Sequence, residues 1–169
     1  MRISSRFGTA IHTLLVIHER SQTQKITSEF IAQQTGVIPV TIRKLLGDFK
    51  KAGIVKIAPR KEKEGTTIAR SFDQITLFDI LMVVEPNLKE EVVIPNTRNA
   101  NTCYSGLYVN EAITEYVDVA LNAVYNEFKK ITMEEVLATL LKKESGCPHD
   151  PRAPLSKTDL QRINKQFKK

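Results

Sequence analysis

The feature that most constrains the fold is a pair of short helical segments separated by only a few residues. The first, ITSEFIAQQTG, has Thr27 at its predicted N-cap, Glu29 in its first turn and a stop at Gly36. The second, IPVTIRKLLGDFKKAGIV, places apolar side chains on one face, namely Ile42, Leu45, Leu46 and Phe49, and ends at Gly53. Two short helices joined by a tight turn predict a helix-turn-helix.

The opposite face of the second helix is basic. At about 100° per residue, that face carries Val40, Arg43, Lys44, Gly47 and Lys51. Thr41, Arg43 and Lys44 fall in its first turns, where a recognition helix reaches base edges. A glycine inside an exposed helix costs roughly 1 kcal/mol relative to alanine. Two interpretations of Gly47 stay open, close approach of a phosphate backbone and a glycine that is merely tolerated.

The positive charge of the chain is confined to the region of this helix. The net charge is +6, from 25 basic and 19 acidic residues. Residues 38–70 hold nine basic and three acidic residues, which leaves 16 of each sign elsewhere. A surplus confined to one segment indicates a polyanionic partner there, whereas basic residues on an outer helix face alone are usually only solvated.

A basic β-hairpin is predicted directly after the second helix. The segments IVKIAP and TTIAR read as two short strands around the turn RKEKEG, where Gly65 supplies a permissive backbone. A hairpin in this position is a wing, and we expect Arg60, Lys61 and Lys63 on its turn to contact phosphates. The predicted fold class is therefore mainly α with a small β-hairpin wing.

Helices flank this unit on both sides. Before it, a first core helix carries Phe7, Ala10, Ile11, Leu14, Leu15 and His18 on one face. After it, Thr76 and Asp79 form a predicted capping box, with Ile75 and Ile80 as a hydrophobic staple, for a helix that ends before Pro86. Residues 1–85 are thus predicted to form a winged helix-turn-helix DNA-binding domain.

A long helix is predicted after a polar loop at residues 86–106. The helix covers residues 108–131, about 36 Å at 1.5 Å per residue. Its apolar stripe is wide, because Ala112 and Val119 extend it sideways. One side can pack on the domain while another meets a second copy, which predicts a homodimer; the alternative is a helix buried within one chain.

The remaining segments complete the predicted organisation. Thr132 and Glu135 form a capping box for a helix to about residue 144, so residues 107–145 are predicted as dimerisation helices. Residues 146–169 are predicted as a proline-containing C-terminal tail with a short helix, capped by Ser156.

The sequence argues against a secreted protein, a membrane protein and an enzyme. The N-terminal segment lacks a signal-peptide cleavage site, no apolar run is long enough to span a membrane, and two cysteines are too few for a disulfide framework, so we expect a cytoplasmic location. No nucleophile elbow, metalloprotease motif, phosphate loop or dinucleotide fingerprint is present, which argues against an enzyme.

The two cysteines lie outside the predicted DNA-binding domain. Cys103 is a candidate sensor, since a thiol near a helix N-terminus can have a lowered pKa, although a structural role is the simpler interpretation. Cys147 and His149 resemble half of a metal site whose other half is missing, so no metal site and no cofactor are predicted.

The order of ITSEFIAQQTGV, KLLGDFKKAGIV, the basic hairpin, ITLFDIL and the long helix resembles the Rrf2 family of bacterial winged helix-turn-helix transcription regulators. The resemblance covers roughly residues 1–145 and implies a cytoplasmic homodimer that binds a palindromic operator, usually as a repressor. The chain departs from the family in two ways. The glycine-rich wing turn of the family is here filled with charge, and its cluster-binding members have three loop cysteines, whereas this loop has only Cys103. The chain therefore resembles the cluster-free branch.

Two functions of different classes follow. The first is a sequence-specific regulator that binds double-stranded DNA, and the second is a protein-interaction adaptor that uses the same scaffold without reading DNA. The local positive surplus favours the regulator, because an adaptor does not need it. The operator, the regulated genes and any small-molecule or protein effector cannot be predicted from the sequence.

Overall fold

A computed structural model describes residues 3–59, 65–88 and 104–145 of the chain. Its helices are α1 Ser5–Arg20, α2 Ser28–Thr35, α3 Pro39–Lys51, α4 Leu77–Val84, α5 Tyr104–Lys130 and α6 Met133–Ser145. Two short antiparallel strands, β1 Val55–Ile57 and β2 Thr66–Ile68, and one 3₁₀ turn, Phe72–Gln74, lie between α3 and α4. The predicted fold class, mainly α with a hairpin wing, is confirmed.

The core forms where α1 meets α2, α3 and α4. Leu14 and Ile17 of α1, Ile31 of α2 and Ile42 and Phe49 of α3 are completely buried. The buried face of α1 differs from the predicted one, because Thr13, Val16 and Ile17 are buried, whereas Ile11 and Leu15 are only half-buried and His18 is exposed. The ring of His18 is stacked on Phe72 with a centroid distance of 4.2 Å. His18 therefore packs through one face of its ring while the residue stays exposed.

The two helices of the helix-turn-helix end and begin at the predicted signals. The side chain of Thr27 caps α2 by accepting a hydrogen bond from the Phe30 N–H, and Gly36 ends that helix with φ of 69°. At the end of α3, Gly53 has φ of 66°, and the Ile54 N–H donates to the Phe49 carbonyl. This is a Schellman cap, and it turns the chain directly into β1.

The hairpin is fixed to the segment before α2 by a backbone contact. Thr66 donates its N–H to the Ile26 carbonyl at 3.0 Å. A Cβ at Gly65 would lie 2.4 Å from the Ile26 oxygen and 2.5 Å from the Ile26 nitrogen, which backbone atoms cannot accommodate. The glycine is therefore required by this close approach, and not by the turn conformation that the sequence suggested.

The first part of α4 is tied to the segment that follows α5. Thr76 and Asp79 form the predicted capping box. Leu77 donates its N–H to the Ile131 carbonyl at 2.9 Å, and Met133 donates to the Ile75 carbonyl at 2.8 Å. These bonds fix the C-terminal end of α5 against the winged helix-turn-helix.

The long helix α5 packs one side on α1 and α4. Leu121 is buried, the rings of Phe128 and Phe7 stack at 5.8 Å, and Tyr125 contacts Phe78 edge-on at 5.3 Å. The helix begins at Tyr104, so the last three residues of the loop predicted at 86–106 are helical. Residues 89–103 of that loop lie outside the described residues, as does the predicted tail at 146–169.

The chain divides into two compact units, residues 1–136 and 137–169. The first contains α1 to α5, the hairpin and the first turn of α6, and the second contains the remainder of α6. In α6, Thr132 and Glu135 form the predicted cap by exchanging hydrogen bonds. Among the helices in the described ranges, none is long and apolar enough to cross a membrane.

Candidate DNA-binding surface

The outer face of α3, formed by Val40, Arg43, Lys44, Gly47 and Lys51, is displayed because the opposite face is anchored in the core. Ile42, Leu45, Leu46 and Phe49 are buried there, as the apolar pattern predicted. On the outer face Val40 is 66 % exposed, and the three cations are also exposed. Thr41 is half-buried at the edge of this face. The helix therefore presents positive charge on a rigid support.

Arg43 lies at the edge of this face that borders α2. Its Nε donates to the Ser28 hydroxyl at 3.2 Å, and its Nη2 donates to Glu29 Oε1 at 2.5 Å. The hydrogen bond from Arg43 lowers the pKa of the Glu29 carboxyl to about 2, helped by its own backbone N–H and the Ser28 hydroxyl. The pair is half exposed on both sides. The sequence placed Arg43 on the outer face but did not indicate this contact.

The other edge of α3 borders a groove shared with α1. The groove measures about 460 Å³ and is lined by Ser5, Arg6 and Thr9 from α1 and by Thr41, Lys44 and Leu45 from α3, among others. Arg6 and Lys44 are exposed cations at the two sides of the groove. Sequence reasoning missed Arg6, because only the packing of α1 against the helix-turn-helix brings it beside α3.

Gly47 has no packing partner that requires a glycine. A Cβ built at this position meets nothing within 4 Å. Its φ is not in the positive range, since only Gly36 and Gly53 have positive φ among the described glycines. Nothing within the described chain therefore requires a glycine here.

The hairpin adds further positive charge beside α3. Lys56 on β1 is exposed, and Arg70, just after β2, is half-buried. The predicted anchors Arg60, Lys61 and Lys63 lie outside the described residues, as does the candidate sensor Cys103. Their roles stay predictions.

A second surface is formed by the side of α5 that faces away from α1 and α4. This outer stripe of α5 consists of exposed apolar residues, namely Tyr108, Ala112, Ile113, Tyr116, Val119, Ala120 and Ala123. Tyr116 is 77 % exposed and Val119 is 67 % exposed. Tyr108, Ala112, Tyr116, Val119 and Ala123 follow one another at intervals of three or four residues, which places them along one line of the helix.

The architecture defines a class of protein. A helix-turn-helix with an exposed basic second helix, followed by a β-hairpin, is the winged-helix fold of DNA-binding proteins. The family model of the Rrf2 proteins, described as iron-dependent transcriptional regulators, matches residues 3–139. The chain belongs to the Rrf2 family, and the members of this family are transcriptional regulators, not enzymes.

Known proteins agree with this assignment. YwnA of Bacillus subtilis (strain 168), named provisionally as an HTH-type transcriptional regulator, is 28 % identical over 136 residues, or 80 % of this chain and 96 % of YwnA. A transcriptional regulator from Lactobacillus plantarum, also named provisionally, has a solved structure with a TM-score of 0.69 and 20 % identity over 95 % of this chain and 97 % of its own. The structure of T. potens IscR has a TM-score of 0.57 and 17 % identity over 92 % and 94 % of the two chains. At these identities the two structures establish a shared fold.

The description of the family as iron-dependent raises the question of a metal site. An iron–sulfur cluster takes about four cysteine ligands, or fewer when histidine replaces some. The whole sequence contains two cysteines, at positions 103 and 147. Across residues 3–59, 65–88 and 104–145 there is no group of three or more His, Cys, Asp or Glu that could bind a metal ion. The donor set therefore does not fit a cluster, and no step of the mechanism depends on one.

Proposed function

We propose that the protein is a sequence-specific DNA-binding repressor that acts as a homodimer on a palindromic operator. The observation that supports this most directly is the outer face of α3, where Arg43, Lys44 and Lys51 are exposed on a helix whose other face is buried. An exposed cationic helix in a winged helix-turn-helix is the part that enters the major groove. The adaptor alternative needs no such surface.

The positive residues divide into two tasks under this proposal. Val40, Thr41, Arg43 and Lys44 lie in the first half of α3 and reach base edges, where arginine and lysine donate to guanine O6 and N7. Lys51, at the end of α3, contacts the backbone. Arg60, Lys61 and Lys63 on the wing turn hold phosphates and carry no sequence information.

Arg6 extends the phosphate-binding surface to α1. It lies across the groove from Lys44, so a DNA strand that follows the edge of α3 would pass between two cations. A contact of this type fixes the register of the protein on the duplex. We therefore add Arg6 to the residues that the sequence predicted for phosphate binding.

The outer stripe of α5 supports the dimer. Tyr116 and Val119 in this stripe are 77 % and 67 % exposed. Exposure of such an apolar surface to water is unfavourable, and a second copy of the same helix would cover it. Two-fold pairing of α5 places two recognition helices on one duplex, which matches two half-sites of a palindrome. The repressor role and the cytoplasmic location follow from the resemblance to the family.

We expect an effector signal to regulate DNA binding. Cys103 is the candidate sensor, and in the sequence it directly precedes Tyr104, the first residue of α5. A thiol at a helix N-terminus is more readily ionised and oxidised than an ordinary cysteine. A small-molecule or protein effector is the alternative signal.

Selection of bound fragments from a random pool of double-stranded DNA tests the proposal. The expected result is an enriched sequence with two-fold symmetry and half-sites about one helical turn apart. Repression is then measured with that sequence placed over a promoter in a reporter assay. Enrichment of no sequence would favour the adaptor, and enrichment of an asymmetric single site would exclude the palindrome.

A further inference from the structure

The contact between Arg43 and α2 has a geometry that bears on how bases are read. The Nε and Nη2 atoms lie on one edge of the guanidinium, and both are used, on Ser28 and on Glu29. A guanidinium has five N–H donors. The two hydrogen bonds leave three donors, on Nη1 and Nη2, and these form the end of the group that can bind guanine O6 and N7 together.

The ion pair between Arg43 and Glu29 contributes little to the stability of the fold. Both side chains are more than half exposed, at 56 % for Arg43 and 57 % for Glu29. Exposed ion pairs are weak because water screens them and because two long side chains lose rotamer freedom. The two hydrogen bonds on one edge of the Arg43 guanidinium instead fix the direction in which its other edge points.

We infer that Ser28 and Glu29 are specificity-determining residues, which orient Arg43 from α2 so that its free edge reads a base pair. The inference rests on the proposed function and adds to it two residues that do not themselves need to contact DNA. An arginine that is already ordered loses less side-chain freedom when it binds, and this makes its contact with the correct base more favourable. The low pKa of Glu29 is consistent with this, because its carboxylate stays charged under all ordinary conditions.

Glu29 also has a cost that makes its role measurable. It places a negative charge beside a helix that approaches phosphates, so it opposes general DNA binding. A residue that served only the fold would not both raise the preference for the operator and weaken binding to random DNA. Loss of Glu29 should therefore lower the preference for the operator and at the same time strengthen binding to random DNA.

The test uses E29Q, S28A and a control, D48N. Asp48 lies on α3 and pairs with Lys51 at 3.7 Å, so D48N also removes one negative charge beside the same helix. The measured quantity is the ratio of dissociation constants for random DNA and for the selected operator, by fluorescence anisotropy on the full chain. Unfolding midpoints of the three variants are measured alongside.

The expected result separates the variants. E29Q should reduce the ratio about twofold to tenfold, the range for losing the pre-ordering of one long side chain. S28A should reduce it less and should leave binding to random DNA unchanged, since it alters no charge. D48N should strengthen binding to both DNAs by a similar factor and should leave the ratio unchanged.

A double-mutant cycle identifies the path of the effect. If Glu29 acts through Arg43, E29Q should change the ratio in the wild-type background but not in R43A. The inference is overturned if the wild type prefers its operator and E29Q has the same ratio, or if E29Q lowers the ratio equally in R43A. A wild type with no preference for any sequence would instead refute the proposed function, and the inference with it.

Discussion

The outer faces of α3 and α5 are built in the same way but differ in chemistry. Each helix buries one side in the same core, through Phe49 in α3 and Leu121 in α5, and exposes the other. The exposed side of α3 carries Arg43, Lys44 and Lys51, while that of α5 carries Tyr116 and Val119. A charged outer face favours a polyanion and an apolar outer face favours another apolar surface. This difference supports the proposal that α3 binds DNA and that α5 pairs with a second copy of the chain.

The largest effect is expected from a charge placed in the outer stripe of α5. Tyr116→Glu should convert the dimer into a 19.1 kDa monomer and should weaken operator binding by about 100-fold or more, because the two half-sites are then bound separately. Sedimentation equilibrium and anisotropy titrations measure the two effects. Tyr116 is 77 % exposed, so the fold should survive.

Asn122→Glu provides the control for that change. Asn122 is also exposed on α5 but lies outside the stripe, so the added charge should leave both the mass and the affinity unchanged. If Tyr116→Glu stays dimeric, the assignment of α5 to self-association is wrong.

The next effect is expected on α3. Arg43→Ala should cost about 1–3 kcal/mol on the operator and little on random DNA, because only base reading is lost. Lys61→Ala on the wing turn should instead weaken both DNAs equally and reduce the slope of log K against log salt by about one. Titrations at several salt concentrations measure both. If both variants lose affinity for the operator and for random DNA in the same proportion, the division into base reading by α3 and phosphate binding by the wing is wrong.

Arg6→Ala tests how far the DNA-binding surface extends toward α1. Arg6 lies across a groove from Lys44, so its loss should weaken operator and random DNA by the same modest factor and should reduce the salt slope by about one. The unfolding midpoint should not change, since the side chain is exposed. Unchanged binding to both DNAs would limit the surface to α3 and the wing.

Gly47→Ala is expected to have opposite effects on folding and on binding. A Cβ there meets nothing within 4 Å, so the variant should be more stable by about 1 kcal/mol in a denaturant titration. Its affinity for the operator should fall if the phosphate backbone approaches this point of α3. An increase in stability with full affinity would show that the glycine is merely tolerated.

The smallest effect is expected from pH. The Arg43 hydrogen bond lowers the pKa of Glu29 from 4.5 to about 2, so the pair is intact above 4.5 and is lost only as the pH falls toward 2. The ratio of operator to random binding should therefore not change through Glu29 between about pH 5 and pH 8. A loss of preference within that range that is absent in E29Q would contradict the assigned charge state.

Local signals predicted most of the fold. Thr27, Gly36, Gly53 and the pair Thr76 and Asp79 determine helix ends through hydrogen bonds within a few residues, and the structure has each of them at the predicted place. Gly65 was predicted for a different reason. Its requirement comes from Ile26, which is distant in sequence, and no local pattern reveals such an approach.

The candidate site was predicted less completely, because some of its contacts join residues that are distant in sequence. Helical periodicity placed Val40, Arg43 and Lys44 on the outer face of α3. It could not show that Glu29 of α2 binds Arg43, or that Arg6 of α1 lies beside Lys44, because both depend on how helices pack. Periodicity predicted the two faces of α3 correctly but misplaced the buried face of α1, where Thr13 and Ile17 are buried and His18 is exposed. Contacts between helices required the structure.

We propose that the outer face of α3 reads a DNA sequence. The most direct measurement is a competition titration in which the selected operator and a scrambled duplex of equal length compete for the protein at physiological salt. We expect a preference of at least about a thousandfold for the operator in the wild type, and a much smaller preference in Arg43→Ala. Equal affinity of the wild type for the two duplexes would contradict it.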